Sequence, residues 1–121
     1  MQEVYTTTVT DLGDNFKDFI STKMMVLFMD NAPDELLDYC ILHGENELKT
    51  DIQVGDILKI NEKEYEITAL GDVVNENLDK LGHITLKFDG STTADLSGSL
   101  YLEEKEMPEI KIGDKIKVVR K

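Results

Sequence analysis

The chain reads as a mainly β domain, a single β-barrel or sandwich of about seven or eight strands with two or three short helices. Three observations predict this. Short segments rich in Val, Ile, Thr and Tyr recur along the chain, several with strict apolar and polar alternation. Gly-Asp, Asp-Gly and Asn-containing turn signals separate them. No run of helical periodicity exceeds about nine residues, below the usual helix length of a helical fold. At 121 residues the length suits one domain over 1–121, with roughly two-thirds of the unfolded surface leaving water on folding.

In chain order, Val4 to Thr10 suits a strand, and Asp11-Leu12-Gly13-Asp14-Asn15 breaks it. Leu12, Phe16, Phe19 and Ile20 fall at helical spacing, which predicts a short amphipathic helix over Asp14 to Thr22. The continuous apolar run Met24 to Met29 has strand length and belongs at the centre of the core. Asn31 or Ala32 reads as a helix cap, with Pro33 in the first turn and the acids Asp34 and Glu35 at the positive end of the dipole. That helix ends by Leu37 or Asp38. Cys40 to His43 is a strand, placing Ile41 and His43 on one face and Cys40 and Leu42 on the other. Gly44 to Glu47 is a polar loop.

An internal echo follows. Asp51-Ile52-Gln53-Val54-Gly55-Asp56-Ile57-Leu58-Lys59-Ile60 matches Glu109-Ile110-Lys111-Ile112-Gly113-Asp114-Lys115-Ile116-Lys117-Val118 in pattern: an apolar pair, a Gly-Asp turn, then an alternating strand. One such echo is architecture and not a solenoid. Ile57 to Ile60 and Tyr65 to Leu70 form a hairpin across Asn61 to Glu64. Val74, Leu78 and Leu81 define the apolar face of a helix over Val73 to Leu81, and Gly82 stands where its C-terminal cap belongs. Ile84, Leu86 and Phe88 alternate with Thr85 and Lys87 in a half-buried strand, and Asp89-Gly90 is a strong turn signal. Ser91 to Ser97 is polar, Leu100 to Leu102 is a strand, Glu103 to Glu109 an acidic connection, and Lys115 to Val119 the closing strand.

Thirteen basic against 25 acidic residues give a formal net charge of −12. That argues against nucleic acid and anionic membrane surfaces as partners, because both demand Lys and Arg. It permits steering of a basic protein partner. The single cysteine, Cys40, excludes an intrachain disulfide. No apolar run is long enough to span a bilayer, and the N-terminus lacks the charged and apolar regions of a signal peptide. The expectation is a reduced, cytoplasmic setting.

The histidines carry the candidate chemistry. His43 ends an apolar strand and precedes Gly44, which would let a partner approach closely. A neutral imidazole with its ordinary pKa near 6.5 can attack a phosphoryl group at physiological pH. Transfer then depends on positioning and charge stabilisation, with Thr50, Asn46 and Thr85 as candidate oxygen partners. On the residues alone the plainer reading leads, in which a strand-end histidine satisfies a hydrogen bond. His83 has a similar plain reading at a helix-capping turn; its functional reading is to hold the His43 tautomer or to bond phosphoryl oxygens. Cys40 and His43 share a C-x-x-H spacing, but this is half of a zinc site with no second cysteine to complete it. On a strand the two also face apart, against a thiol–imidazole dyad. The abundant carboxylates single out no catalytic pair, and no phosphate loop, GxSxG or HExxH occurs. No metal or cofactor is expected.

One set of segments narrows this. Tyr5-Thr6-Thr7, Asn31-Ala32-Pro33-Asp34, Cys40-x-x-His43 followed by Glu47-Leu48-Lys49, and Asn77-Leu78-x-x-Leu81-Gly82-His83-Ile84-Thr85-Leu86-x-Phe88-Asp89-Gly90 together resemble the glucitol/sorbitol-specific IIA component of the bacterial phosphoenolpyruvate-dependent sugar phosphotransferase system. The resemblance covers nearly the whole chain. It implies a β-rich fold and a phosphoryl carrier, in which His43 takes a phosphoryl group from the phosphocarrier HPr and passes it to the IIB component for uptake of glucitol or sorbitol by IIB and IIC. On the carrier reading His83 assists, and the family needs no metal for the transfer. The chain departs from the family directly after the active histidine: where relatives carry a cysteine and a second histidine, it has Gly44-Glu45-Asn46. Two other readings stand beside the carrier. One is a non-catalytic β-barrel binding or regulatory module. The other is a subunit whose apolar strands hide an oligomer interface, and a carrier is itself compatible with a homodimer.

Overall fold

A computed structural model describes residues 2–31 and 34–121 of the chain. Its nine strands are β1 (Gln2–Leu12), β2 (Met24–Met29), β3 (Ile41–His43), β4 (Glu47–Leu48), β5 (Ile57–Ile60), β6 (Lys63–Leu70), β7 (Ile84–Lys87), β8 (Ser99–Leu102) and β9 (Lys115–Arg120). Eight of them close a barrel. The order runs β3-β2-β7-β8-β6-β5-β9-β1, and a further pairing of β1 with β3 joins the ends. Closure removes the exposed edges that an open sheet would present.

The long first strand makes the closure possible. One edge of β1 pairs with β9 from Gln2 to Thr8. Along its other edge, Tyr5 and Thr6 pair with β4, while Val9, Asp11 and Leu12 pair with β3. β3 and β4 therefore lie end to end along one strand, with Gly44 to Asn46 bridging the gap. The ring is antiparallel except at two places. β2 runs parallel to β3, with the 3₁₀ turn Asp34–Tyr39 in the crossover, and β7 runs parallel to β8.

Several expectations are corrected in detail. The helix read over Asp14 to Thr22 is a 3₁₀ helix, Phe16–Thr22, closed by Lys23 in the left-handed region. The segment after Asn31 is also a 3₁₀ helix, Asp34–Tyr39; Ala32, one of the two expected caps, and Pro33, expected in the first turn, lie outside the described residues. Both segments wind more tightly than an α-helix, as short connectors between strands often do. The loop at Gly44 to Glu47 gives way to β4, because β1 offers free backbone groups there. The hairpin turn is two residues, Asn61 and Glu62, with Ile60 opposite Lys63; Asn61 takes φ 57°, which Asn tolerates better than most residues. Asp89-Gly90 turns the chain but makes no hairpin, since β8 returns parallel to β7.

The α-helix α1 (Val74–Leu81) buries Val74 and Leu78, while Leu81, expected on the same face, is 47% exposed. The core takes Tyr5, Met25, Leu27, Tyr65, Ile67, Leu86, Phe88 and Leu100 among others. Met25 and Leu27 point inward from β2 while Met24, Val26, Phe28 and Met29 are half-buried, so this run is a wall of the core and not its centre.

The internal echo is realised in three dimensions. Gly55 and Gly113 adopt φ 97° and 94°. Asp56 Oδ2 accepts the Gln53 amide at 2.9 Å, and Asp114 Oδ2 accepts the Lys111 amide at 2.8 Å. Each turn feeds a strand of the same antiparallel pair, β5 and β9.

Candidate functional site

His43 is the last residue of β3 and is held at the seam where the barrel closes. Ile41, two residues earlier on the same face, joins the main core. Backbone bonds fix the strand end on both sides: the Asp30 amide donates to the His43 carbonyl at 3.0 Å, and the Gly44 amide donates to the Thr8 carbonyl at 3.2 Å. The His43 side chain is fully buried. Nδ1 lies 2.8 Å from Thr7 Oγ1 on β1, and Nε2 lies 2.7 Å from the carbonyl oxygen of Gly82.

These partners define the proton positions. A carbonyl can only accept, so Nε2 carries the hydrogen. Burial pushes the imidazole pKa below its ordinary value of 6.5, with the Gly82 bond and the Asp30 carboxylate pulling partly back. The ring is therefore neutral at pH 7, and Nδ1 holds the lone pair. Thr7 Oγ1 donates to it and in turn accepts the Asn46 amide at 3.0 Å.

Asn46 ties this network to the rest of the fold. Its side-chain amide donates to the Leu78 carbonyl in the last turn of α1 at 2.8 Å, and its Oδ1 accepts the Tyr5 hydroxyl at 2.7 Å. The residue adopts φ 45°, which aims backbone and side chain at different elements. Burial raises the Tyr5 pKa, so the phenol remains a donor.

The cover over His43 is the turn between α1 and β7. Gly82 closes α1 in the left-handed region with φ 62°, its amide bonded back to the Leu78 carbonyl. A Cβ there would lie 2.3 Å from Met29 Cγ and 2.9 Å from His43 Cε1, so only glycine can rest this close. His83 follows, half-buried. Its Nδ1 is 3.2 Å from the Leu27 carbonyl, and its ring stacks on Phe28 with centroids 4.6 Å apart. Its Nε2 has no hydrogen-bond partner among the described residues.

Of the expected oxygen partners, Asn46 is brought to His43 through Thr7. Thr50 and Thr85 make no hydrogen bond to either histidine among the described residues. Thr50 instead lines an open cleft of about 520 Å³ beside α1, with Lys49, Asp51, Asp72, Asn75, Glu76, Asp79 and Lys80. Gly44 is exposed, though a Cβ there would sit 3.2 Å from Asp30 Oδ2 and from Thr10 Cγ2. Cys40 is buried just before β3. Among the described residues no group of three or more His, Cys, Asp or Glu is placed to hold a metal, and no helix is long and apolar enough to cross a membrane. Thr7 was not legible as a site residue, since one threonine in a Thr-rich strand carries no distinguishing signal.

The family described as "PTS system glucitol/sorbitol-specific IIA component" matches residues 4–117. The glucitol/sorbitol-specific EIIA components of Shigella flexneri and of Escherichia coli K12 are each 36% identical over 102 residues, covering 84% of this chain and 83% of theirs. The crystal structure of a PTS system IIA component from Enterococcus faecalis V583 superposes with a TM-score of 0.84 at 32% identity, covering 95% of this chain and 99% of that one.

Proposed function

Since the chain belongs to the glucitol/sorbitol-specific IIA family of the sugar phosphotransferase system, we propose that it is a phosphoryl carrier whose acceptor is His43, charged by phospho-HPr and discharged to the IIB component. The observation that carries this reading is the grip on His43. A neutral imidazole is held at both nitrogens, at 2.8 Å by Thr7 and 2.7 Å by Gly82. Such restraint sets the ring in one orientation before a partner arrives, which is the main help that phosphoryl transfer between histidines needs.

In the transfer the Nε2 lone pair attacks phosphorus. The P–N bond of the donor phosphohistidine breaks, and its electron pair stays on the donor imidazole. Two changes precede attack. The Gly82 carbonyl withdraws, because an acceptor oxygen at 2.7 Å occupies the approach to Nε2. The ring proton moves from Nε2 to Nδ1. His83 rides on the same turn, and its Nδ1 hydrogen, held by the Leu27 carbonyl at rest, is available to donate to a phosphoryl oxygen once the turn opens. Passage onward to IIB reverses the step. A cytoplasmic location suits such a carrier, and a dimer is compatible with it.

A second reading has one observation in its favour. His83 is the more exposed imidazole, and its Nε2 has no hydrogen-bond partner among the described residues, so it is the alternative acceptor. Mass spectrometry after incubation with phosphoenolpyruvate, enzyme I and HPr separates the two. An acid-labile phosphoryl adduct on the wild type, lost in His43→Ala, is the expected result. An adduct that survives in that variant and disappears in His83→Ala moves the acceptor. No adduct on any form, with a donor proven active on another IIA protein, leaves a binding module.

A further inference from the structure

We propose that Thr7 is a positioning residue for this transfer, its hydroxyl serving as a reversible partner that supports both tautomers of His43; the inference rests on the carrier reading above. Thr7 is fully buried on β1. Its β-branched side chain has few rotamers in a strand, so Oγ1 is held in place. The Asn46 amide donates to Oγ1 at 3.0 Å and occupies one lone pair. That turns the hydroxyl hydrogen toward Nδ1, 2.8 Å away.

At rest, Thr7 donates to Nδ1 and the Nε2 hydrogen goes to Gly82. A nucleophilic Nε2 needs the opposite arrangement, with hydrogen on Nδ1 and the lone pair on Nε2. The proton that leaves Nε2 reappears on Nδ1, so the ring stays neutral. Thr7 then accepts the Nδ1 hydrogen with its second lone pair while the Asn46 amide keeps the first. On the Nδ1 side only the hydroxyl hydrogen has to turn. A hydroxyl is the one small uncharged side-chain group that donates and accepts at a single atom with full strength. A buried methyl supports neither tautomer and leaves Nδ1 unpaired, which carries a desolvation cost. During transfer the same contact holds the positive character that develops on the ring as the P–Nε2 bond forms.

The test pairs nitrogen-15 NMR of the His43 ring with the rate of phosphoryl acceptance from phospho-HPr, on wild type, Thr7→Ser and Thr7→Val. In the wild type the ring is expected as the single Nε2–H tautomer. Thr7→Ser is expected to keep that tautomer and to accept at close to the wild-type rate. Thr7→Val is expected to keep the Nε2–H tautomer at rest, because Gly82 still accepts that hydrogen, but to shift the unpaired Nδ1 resonance and to accept about 10- to 100-fold more slowly, the loss seen when a group that orients a metal-bound histidine is removed. A Thr7→Val protein with wild-type Nδ1 resonance and rate overturns the proposal, as does a wild-type ring protonated on Nδ1 at rest. Should Thr7→Val not fold, Thr7→Cys replaces it. A thiol donates and accepts only weakly, so an intermediate rate is expected and an unchanged one is fatal. A wild type that never takes a phosphoryl group overturns the carrier reading instead, and the ring spectrum still reports whether Thr7 bonds Nδ1.

Discussion

Arg120 grips Asp56 with two parallel hydrogen bonds, Nε to Oδ1 at 2.9 Å and Nη2 to Oδ2 at 3.0 Å. Nη2 also donates to the Asp51 carbonyl at 2.8 Å. The contact pins the end of β9 to the turn that enters β5, and Asp56 is 3% exposed. Two-pronged pairs of this kind add geometric specificity to charge. Arg120→Met leaves a buried carboxylate without its partner and is expected to lower the urea midpoint clearly. Adding Asp56→Asn to that variant is expected to restore part of the loss, because the amide oxygen still accepts from Gln53 and no charge is stranded. Urea unfolding of the single and double variants checks this, and a double variant less stable than the single contradicts it.

The same pair sets one acid limb of stability. Burial works to raise the Asp56 pKa, but the Arg120 fork and the Gln53 amide together bring it below its ordinary 3.8. A depressed carboxyl contributes stability that is complete above the unfolded value and is lost as pH falls through the folded one. Unfolding is therefore expected to steepen below pH 3.8, and Asp56→Asn to flatten that limb in urea midpoints followed against pH.

His43 governs a separate window at higher pH. Its folded pKa is depressed by burial from 6.5. Below that pH the unfolded ring binds a proton that the folded ring refuses, so stability falls as pH drops from 6.5 toward the folded value. His43→Gln is expected to remove this limb and to leave the Asp56 limb intact. For the transfer itself the sign is favourable: the ring stays neutral, and hence nucleophilic, at pH values where a free imidazole is mostly protonated. The pH profile of phosphoryl acceptance should hold below 6.5, and an inflection at or above the ordinary imidazole value would count against this account.

Gly82→Ala probes the cover. Alanine at φ 62° costs about 1–2 kcal/mol from the left-handed backbone alone. Its methyl would meet Met29 Cγ at 2.3 Å and His43 Cε1 at 2.9 Å, so the turn or the ring has to shift. The expected outcome is a lower melting temperature together with displaced His43 ring resonances. Loss of stability with an unmoved ring would show that the turn alone absorbs the strain.

Phe88 anchors the core away from the site. It is fully buried and meets Tyr65 edge-on, with centroids 4.9 Å apart at 76°. Phe88→Ala is expected to cost about 3–5 kcal/mol and Phe88→Leu much less, by denaturant unfolding. Phosphoryl acceptance by the leucine variant should stay near wild type, since Phe88 supplies neither of the groups that hold the His43 nitrogens.

What could be read along the chain was local. The alternation of Ile84, Leu86 and Phe88 gave β7 its buried face, the Gly-Asp echo gave two matching turns, and Gly82 was recognisable as a helix cap because only its backbone conformation was at stake. His43 and His83 were legible as candidates because histidine is rare in this chain. Their surroundings were not. Thr7 and His43 are 36 residues apart and Tyr5 and Asn46 are 41 apart, so no periodicity links them. β4 and the parallel pairings of β2 with β3 and β7 with β8 depend likewise on which strand edge is unoccupied after the chain has folded.

The sequence by itself determined a β-rich chain, the position of most strands, the family and the histidines worth testing, because side-chain alternation, turn chemistry and motif identity are written within a few residues. Only the tertiary structure decided that β1 pairs with β3 to close the ring, that His43 lies buried at that closure, and that Thr7 and Gly82 hold its two nitrogens. Those are contacts between segments distant in sequence. Their energy comes from burial and from satisfying polar groups in a common interior, and that interior exists only once the barrel has closed.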